Sequence, residues 1–164
     1  MIFVTVGMHE QAFDRLIRTI DNLKAENIIN DDVIMQTGYS SYTPKHCLFK
    51  SMMSHEEMNK NVQNAAVVIT HGGPGSILLA WSSGKKPIVV PRNPMFKEHV
   101  DNHQILFARR LYKEKKIVLV ENIEDLKSVI QEVKAIDCKF QYHSNTEAFT
   151  NKLSDVLKDL TLEV

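Results

Sequence analysis

The sequence predicts an α/β fold: a single doubly wound domain with a mostly parallel sheet and helices on both of its faces. Three observations predict it. Strand-like apolar runs alternate with amphipathic, helix-like segments from end to end, and the connections between them are short. The glycine- and proline-bearing stretches fall directly after strand-like runs, where a parallel sheet places its ligand loops. A chain of 164 residues, 43% of them hydrophobic, supports one sizeable core rather than two.

Each element follows from its own pattern. Ile2 to Val6 is a β-rich run. After the loop from Gly7 to Glu10, Phe13, Leu16, Ile17, Ile20 and Leu23 recur on one face of a helix. Val33 to Thr37 reads as the second strand and stops at Gly38; the polar stretch YSSYTPKH that follows is a loop, turned at Pro44. Cys47 to Lys50 carries a weaker strand signature. Ser54 with Glu57 three residues later forms a capping-box pattern for a helix through about Asn64. Ala66 to Ile69 is the next strand, and THGGPGS leads from it into a short helix that Gly84 ends. Pro87 to Val90 is a strand, PRNPMFKEH a loop, Asp101 to Tyr112 a helix and Ile117 to Val120 the last strand. Asn122 caps a helix with Ile123, Leu126, Val129, Ile130 and Val133 on one face. In such a sheet the loops after Val6, Thr37, Ile69 and Val90 should converge on one crevice.

Composition excludes several classes. Twenty basic and twenty acidic residues balance, and the isoelectric point near 7.1 provides no field to hold a nucleic-acid backbone, so no nucleic acid is expected as partner. Runs such as AAVVI and ILLAW fall far short of the roughly 20 apolar residues that cross a bilayer. MIFVTV lacks a basic segment and cleavage site, so it reads as a core strand rather than a signal peptide, and a cytoplasmic location is expected. Cys47 and Cys138 lack metal-ligand spacing and read as reduced thiols. No HxxxH, DxD or clustered Cys/His pattern is present, so no obligatory metal and no cofactor is expected.

Three loops carry side chains or backbone suited to chemistry. In THGGPGS, glycines at 72, 73 and 75 permit close backbone approach, and the helix start near Ser76 leaves amide donors that favour an anion. The same glycines also suit a tight turn, so phosphate cradle and plain turn both stand; the string matches neither the dinucleotide fingerprint nor the Walker pattern. A bulky residue at Gly73 is expected to abolish phosphate binding and leave the fold intact. EHVDNHQ, residues 98 to 104, reads either as a solvated helix start capped by Asp101 or Asn102, or as a cluster for sugar hydroxyls. In the loop after the first strand, His9 and Glu10 can each take a proton from a hydroxyl, histidine with the better matched pKa, while Glu10 and Gln11 equally suit the start of a helix.

Taken together, VTVGMHEQAFDRLI, QTG at Gln36 to Gly38, THGGPGS and EHVDNHQILFA resemble, in order and spacing, the donor-binding C-terminal half of the two-domain family 28 nucleotide-sugar glycosyltransferases. The resemblance covers about the first 120 residues. It is strongest to short single-domain members, the catalytic subunits of two-subunit UDP-sugar transferases of dolichol-linked oligosaccharide synthesis and their bacterial capsule or exopolysaccharide homologues. It implies a Rossmann-like half of a GT-B fold and an inverting transfer of a hexose or N-acetylhexosamine from a UDP-sugar to a polyprenyl-diphosphate-linked sugar. His71, Gly72, Gly73, Gly75 and Ser76 would then hold the diphosphate; Gln36, Thr37 and Gly38 would lie near the nucleotide. Glu98, Asp101 and Gln104, with His99 less firmly, would meet sugar or ribose hydroxyls, and His9 or Glu10 would supply the base unless another polypeptide does. One departure is Phe107, where relatives of the peptidoglycan type often carry Asn. The chain has room for the donor half alone, so the resemblance implies a membrane-anchored partner subunit that supplies the acceptor side and holds this chain at the inner face of the membrane. A non-catalytic nucleotide-sugar-binding subunit is the alternative.

The C-terminal segment, about 145 to 161, reads as an amphipathic helix opened by a Ser144–Glu147 capping pattern, with Phe149, Leu153, Val156, Leu157 and Leu160 on one face. That stripe packs on its own domain, docks into a partner or pairs with a second copy.

Overall fold

The computed structural model describes residues 1–135, Phe140 and 145–162, with side chains through Lys158; Cys138 and Ser144, and with it the expected cap of the last helix, lie outside the described residues. Six strands form one sheet: β1 (Ile2–Thr5), β2 (Val33–Gln36), β3 (Leu48–Lys50), β4 (Val67–Thr70), β5 (Ile88–Val89) and β6 (Val118–Leu119). Their spatial order is β3-β2-β1-β4-β5-β6, and every pairing is parallel. The weak third strand is therefore real, and it occupies the edge with all three residues exposed. That exposure explains its weak apolar signal, since only one neighbour and one register, Ile34 to Leu48, hold it.

The helices are α1 (Asp14–Ala25), α2 (His55–Asn64), α3 (Pro74–Ser82), α4 (His103–Lys113), α5 (Leu126–Ala135) and α6 (Thr146–Leu162). One face of the sheet is covered by α1 and α5, whose Leu16, Ile17, Ile20, Leu126 and Ile130 pack on Ile2, Val4, Ile69 and Ile88. The other face is covered by α2 and α3 over Phe3 and Val68, and by α3 and α4 over Val89. Central strands buried on both faces must be apolar throughout, which is why β1 and β4 show continuous rather than alternating hydrophobic patterns.

Local chemistry sets the helix ends. Ser54 and Glu57 form the anticipated capping box, each side chain accepting from the other's amide at 3.2 and 2.8 Å. Asn122 caps a short 3-10 turn, 123–125, which runs into α5. Among the described residues of the α6 stripe, Phe149 is 63% exposed, Leu153 46% and Val156 and Leu157 54%, so these side chains stay largely open rather than packing against the domain; the Leu160 side chain lies outside the described residues.

Connections β1–α1–β2 lead one way across the sheet and β4–α3–β5 lead the other, so the order reverses between β1 and β4. The carboxyl ends of those two strands, with the loops that leave them, form the crevice where ligands bind in this kind of sheet.

Candidate functional site

At that reversal lies a cleft of about 620 Å³, lined on one side by Thr5, Gly7, Met8 and Gln36 and on the other by His71 and the start of α3, from Gly73 to Ser76. Its outer wall comes from Met53 and Met58 of the β3–α2 segment and Leu79 of α3. The loops after β1 and β4 thus meet as the sequence predicts, while the loops after β2 and β5, expected in the same crevice, do not line this cleft.

Helix α3 begins with Gly73 as its N-cap, without a side-chain cap, and Pro74 in its first turn. Proline has no N–H, and the amides of Gly75 and Ser76 have no acceptor within the helix, so two donors and the positive end of the helix dipole face the cleft. Ser76 does not spend its hydroxyl there: Oγ donates to the Gly73 carbonyl at 2.9 Å and accepts from Thr70 at 2.6 Å, which ties the first turn to the end of β4. Gly73 and Gly75 differ. A Cβ on Gly73 would stand 2.4 Å from Nε2 of His71, whereas one on Gly75 would meet nothing within 4 Å. The expectation that a bulky residue at 73 leaves the fold intact is therefore corrected, because Gly73 makes room for a buried ring. Gly75 has no packing reason to be glycine and faces open space.

His71 is the internal wall of the crevice. Its ring is packed between Gly73 and Gly7, where a Cβ would come within 2.5 Å of Cε1 and φ is +73°. Burial, and next the Arg92 guanidinium, push its pKa down to about 4, so the ring is neutral at physiological pH.

Gln36, Thr37 and Gly38 all sit beneath the β1 loop. The Gln36 amide brackets Gly7, accepting from its N–H at 3.1 Å and donating to its carbonyl at 2.9 Å. It also accepts from Thr5 Oγ1 at 2.7 Å and donates to the Ser51 carbonyl at 3.1 Å. Thr37 is buried and its amide donates to Lys50 O, while a Cβ on Gly38 would strike the Gly7 carbonyl at 2.5 Å. Of these three only Gln36 lines the cleft.

The EHVDNHQ residues lie apart from that cleft, on the β5 side. Glu98 is 3% exposed and its carboxylate is committed: Oε1 and Oε2 receive a two-pronged pair from Arg15 at 2.9 Å each, and Oε2 also accepts from the Asn93 amide at 3.0 Å. Such burial does not suit the sugar-hydroxyl role expected for it. Asp101 is exposed and accepts from the His103 amide at 2.9 Å; that bond, chiefly, holds its carboxyl below the usual range. Gln104 Oε1 receives the Arg92 amide at 3.4 Å. His9 and His99, from different loops, meet edge to face with ring centroids 4.6 Å apart. Burial lowers the His9 pKa first, and the neighbouring His99 and Arg92 lower it further. Glu10 is exposed beside them.

Sequence reasoning missed Arg15 and Arg92, which hold the β5 side together, and the methionine wall of the cleft. Arg92 is fully buried. A charged residue only two positions beyond the apolar run from Ile88 to Val90, past Pro91, was the available signal, because arginine can donate to several carbonyls at once.

Comparison with known proteins bears on this arrangement. The model of the glycosyltransferase family 28 C-terminal domain matches residues 1–160. The UDP-N-acetylglucosamine transferase subunit ALG13 of Homo sapiens is 33% identical over 122 residues, which are 69% of this chain and 10% of that protein. The chain thus spans about a tenth of the length of that curated relative. Among solved structures, the glycotransferase of kitacinnamycin superposes with a TM-score of 0.63 at 15% identity, over 98% of this chain and 39% of that one. The calicheamicin glycosyltransferase CalG4 gives a TM-score of 0.57 at 14% identity, over 82% and 34%. At those identities the likeness is one of fold, the GT-B arrangement of a Rossmann-like half.

Proposed function

Since this chain belongs to the glycosyltransferase family 28 C-terminal domain family, we propose that it is the donor-binding, catalytic subunit of an inverting glycosyltransferase that moves a hexose or N-acetylhexosamine from a UDP-sugar to a polyprenyl-diphosphate-linked sugar. The observation that carries the reading is the start of α3: two amides without intrahelical acceptors, Gly75 facing open space, and a 620 Å³ cleft directly in front of them. In this reading the diphosphate lies across Gly73 to Ser76 over the His71 ring. The leaving UDP gains negative charge as the anomeric bond breaks, and fixed amide donors stabilise it without a metal. The sugar extends toward His99, Asp101 and Gln104, with Glu98 as the support of that rim rather than a ligand. His9 is the proton acceptor offered by this chain, since burial and then the neighbouring His99 and Arg92 lower its pKa and so favour the neutral, proton-accepting ring.

The acceptor half comes from a partner subunit at the inner face of the membrane. Each of the two solved glycosyltransferases is more than twice the length of the portion this chain matches, and the human relative is named as a subunit. No helix among the described residues is long and apolar enough to cross a membrane; in this reading the partner supplies the attachment. The alternative is a subunit that binds the nucleotide sugar without performing chemistry, favoured by the internal commitment of Glu98.

Calorimetry with UDP tests the cradle. The wild-type chain is expected to bind UDP, and Gly75→Val, placed where a side chain meets nothing, is expected to weaken binding at least tenfold while keeping the melting temperature. Equal affinity of the two proteins would remove the diphosphate assignment. Labelled UDP-sugars added with membranes that carry the partner and lipid-linked acceptor then separate the two readings, because UDP binding without product supports the non-catalytic one.

A further inference from the structure

Every hydrogen bond between residues 6–15, which carry His9, and residues 91–99, which carry His99, comes from one of two arginines among the described residues. Arg15 lies in the first turn of α1 and reaches the Glu98 carboxylate and the Pro91 carbonyl. Arg92 lies wholly inside. Its Nη1 donates to the carbonyls of Gln11 at 2.7 Å, Ala12 at 3.4 Å and Glu98 at 3.0 Å, and its Nη2 to that of Val6 at 2.9 Å. The guanidinium carbon stands 4.9 Å from the centroid of the Phe13 ring.

This is an expensive way to build a core. A buried cation without a carboxylate of its own costs more than an apolar side chain of similar volume, and here the Nε–H has no partner. Glu98, the nearest carboxylate on the same loop, has both oxygens engaged by Arg15 and Asn93. What the guanidinium achieves is positional: it stitches the exit of β1 to the loop after β5 at a point where no backbone pairing joins them.

We propose that Arg92 is the positioning residue of the transfer edge, holding the β1 loop against the β5 loop so that the His9 and His99 rings are presented together at the rim of the donor crevice. The inference rests on the reading of that crevice as a sugar-transfer site. Its charge adds a second effect. The groups facing His9 are His99, Arg92, Glu10 and Asp101, and those facing His71 are Arg92, His9 and His99. Both sets include Arg92, which lowers the pKa of each ring, so a neutral side chain at 92 would allow them to protonate at higher pH. Arg92 itself stays charged, since burial lowers it only to about 10.

The test titrates the histidines by NMR in the wild-type chain, Arg92→Met, Arg92→Lys and Arg92→Gln, with UDP affinity measured in parallel. In Arg92→Met the His9 pKa is expected to rise toward its ordinary value of 6.5 and the contact between the His9 and His99 rings to disappear; Arg92→Lys is expected to retain the low His9 pKa. A folded Arg92→Met with unchanged His9 titration and an intact ring contact overturns the proposal. Should Arg92→Met fail to fold, Arg92→Gln, which keeps amide donors for the Val6 or Gln11 carbonyl without the charge, takes its place: His9 is expected to titrate higher than in the wild type, and an unchanged titration with the ring contact intact rejects the role of Arg92. Loss of UDP binding in the wild type would strike the donor-site reading alone, because the histidine titration does not depend on UDP.

Discussion

The loop after β1 is held from two sides by different chemistry. On the β2 side a neutral amide, Gln36, brackets Gly7 through four hydrogen bonds to Thr5, both polar groups of Gly7 and the Ser51 carbonyl. On the β5 side two guanidinium groups perform the equivalent task through the carbonyls of Val6, Gln11 and Ala12 and the Glu98 carboxylate. A neutral clamp fixes backbone geometry and does nothing to the charge of its neighbours. A cationic clamp fixes geometry, and its buried guanidinium adds to the burial that lowers the pKa of His71 and His9. The neutral clamp sits under the cleft in front of α3, where we propose the diphosphate binds, and the cationic clamp under the histidine pair, which is the arrangement expected if proton transfer occurs on the β5 side.

Breaking the neutral clamp should have the largest effect. Gln36→Leu takes away the partner of the Gly7 carbonyl and of the Thr5 hydroxyl and leaves the Gly7 N–H only its 3.3 Å bond to Thr5 Oγ1, and the expected loss is roughly 3–5 kcal/mol of stability with little dependence on salt. Urea unfolding at two ionic strengths measures it, and a loss below 1 kcal/mol would mean that water replaces the amide.

Next in size is the pH dependence centred on His71, which both clamps surround. Its folded pKa, about 4, lies below the ordinary value of 6.5, so the unfolded chain binds the proton first as pH falls. The associated stability is complete above pH 6.5 and declines through the window from 6.5 to about 4, by roughly 3 kcal/mol. Unfolding curves across that window should show the decline in the wild type and a flatter profile in His71→Asn.

The smallest effect belongs to Arg15→Lys. Lysine keeps the charge but cannot reproduce the paired donation to Glu98. The expected loss is about 1–2 kcal/mol, reduced at high salt because Arg15 is partly exposed. A larger, salt-independent loss would show that the outer arginine carries the same load as the buried Arg92, and the contrast between the clamps would lose its basis.

The alternation of strands and helices, the capping box at Ser54 and the convergence of the β1 and β4 loops were all legible from periodicity and turn chemistry, because each depends on neighbours within a few residues. So was the glycine-rich helix start. The EHVDNHQ segment was legible as a polar cluster but not as a division of labour. Whether a carboxylate such as Glu98 faces a ligand or a core arginine depends on Arg15, 83 residues away, and no local pattern encodes that pairing. The α6 stripe was equally visible in the sequence, yet only the structure showed that its described side chains, Phe149 to Leu157, stay exposed.

The sequence by itself determined the fold class, the positions of the crevice loops and the family, since hydrophobic period and short glycine-bearing motifs are written in consecutive residues. Only the tertiary structure decided which glycine makes room for His71 and which faces the cleft, that Glu98 is buried as support, and that Arg92 lies beneath the histidine pair. Those facts arise where β1, β4 and β5, distant in the chain, are brought side by side. A buried charge has no meaning until the carbonyls that solvate it are in place.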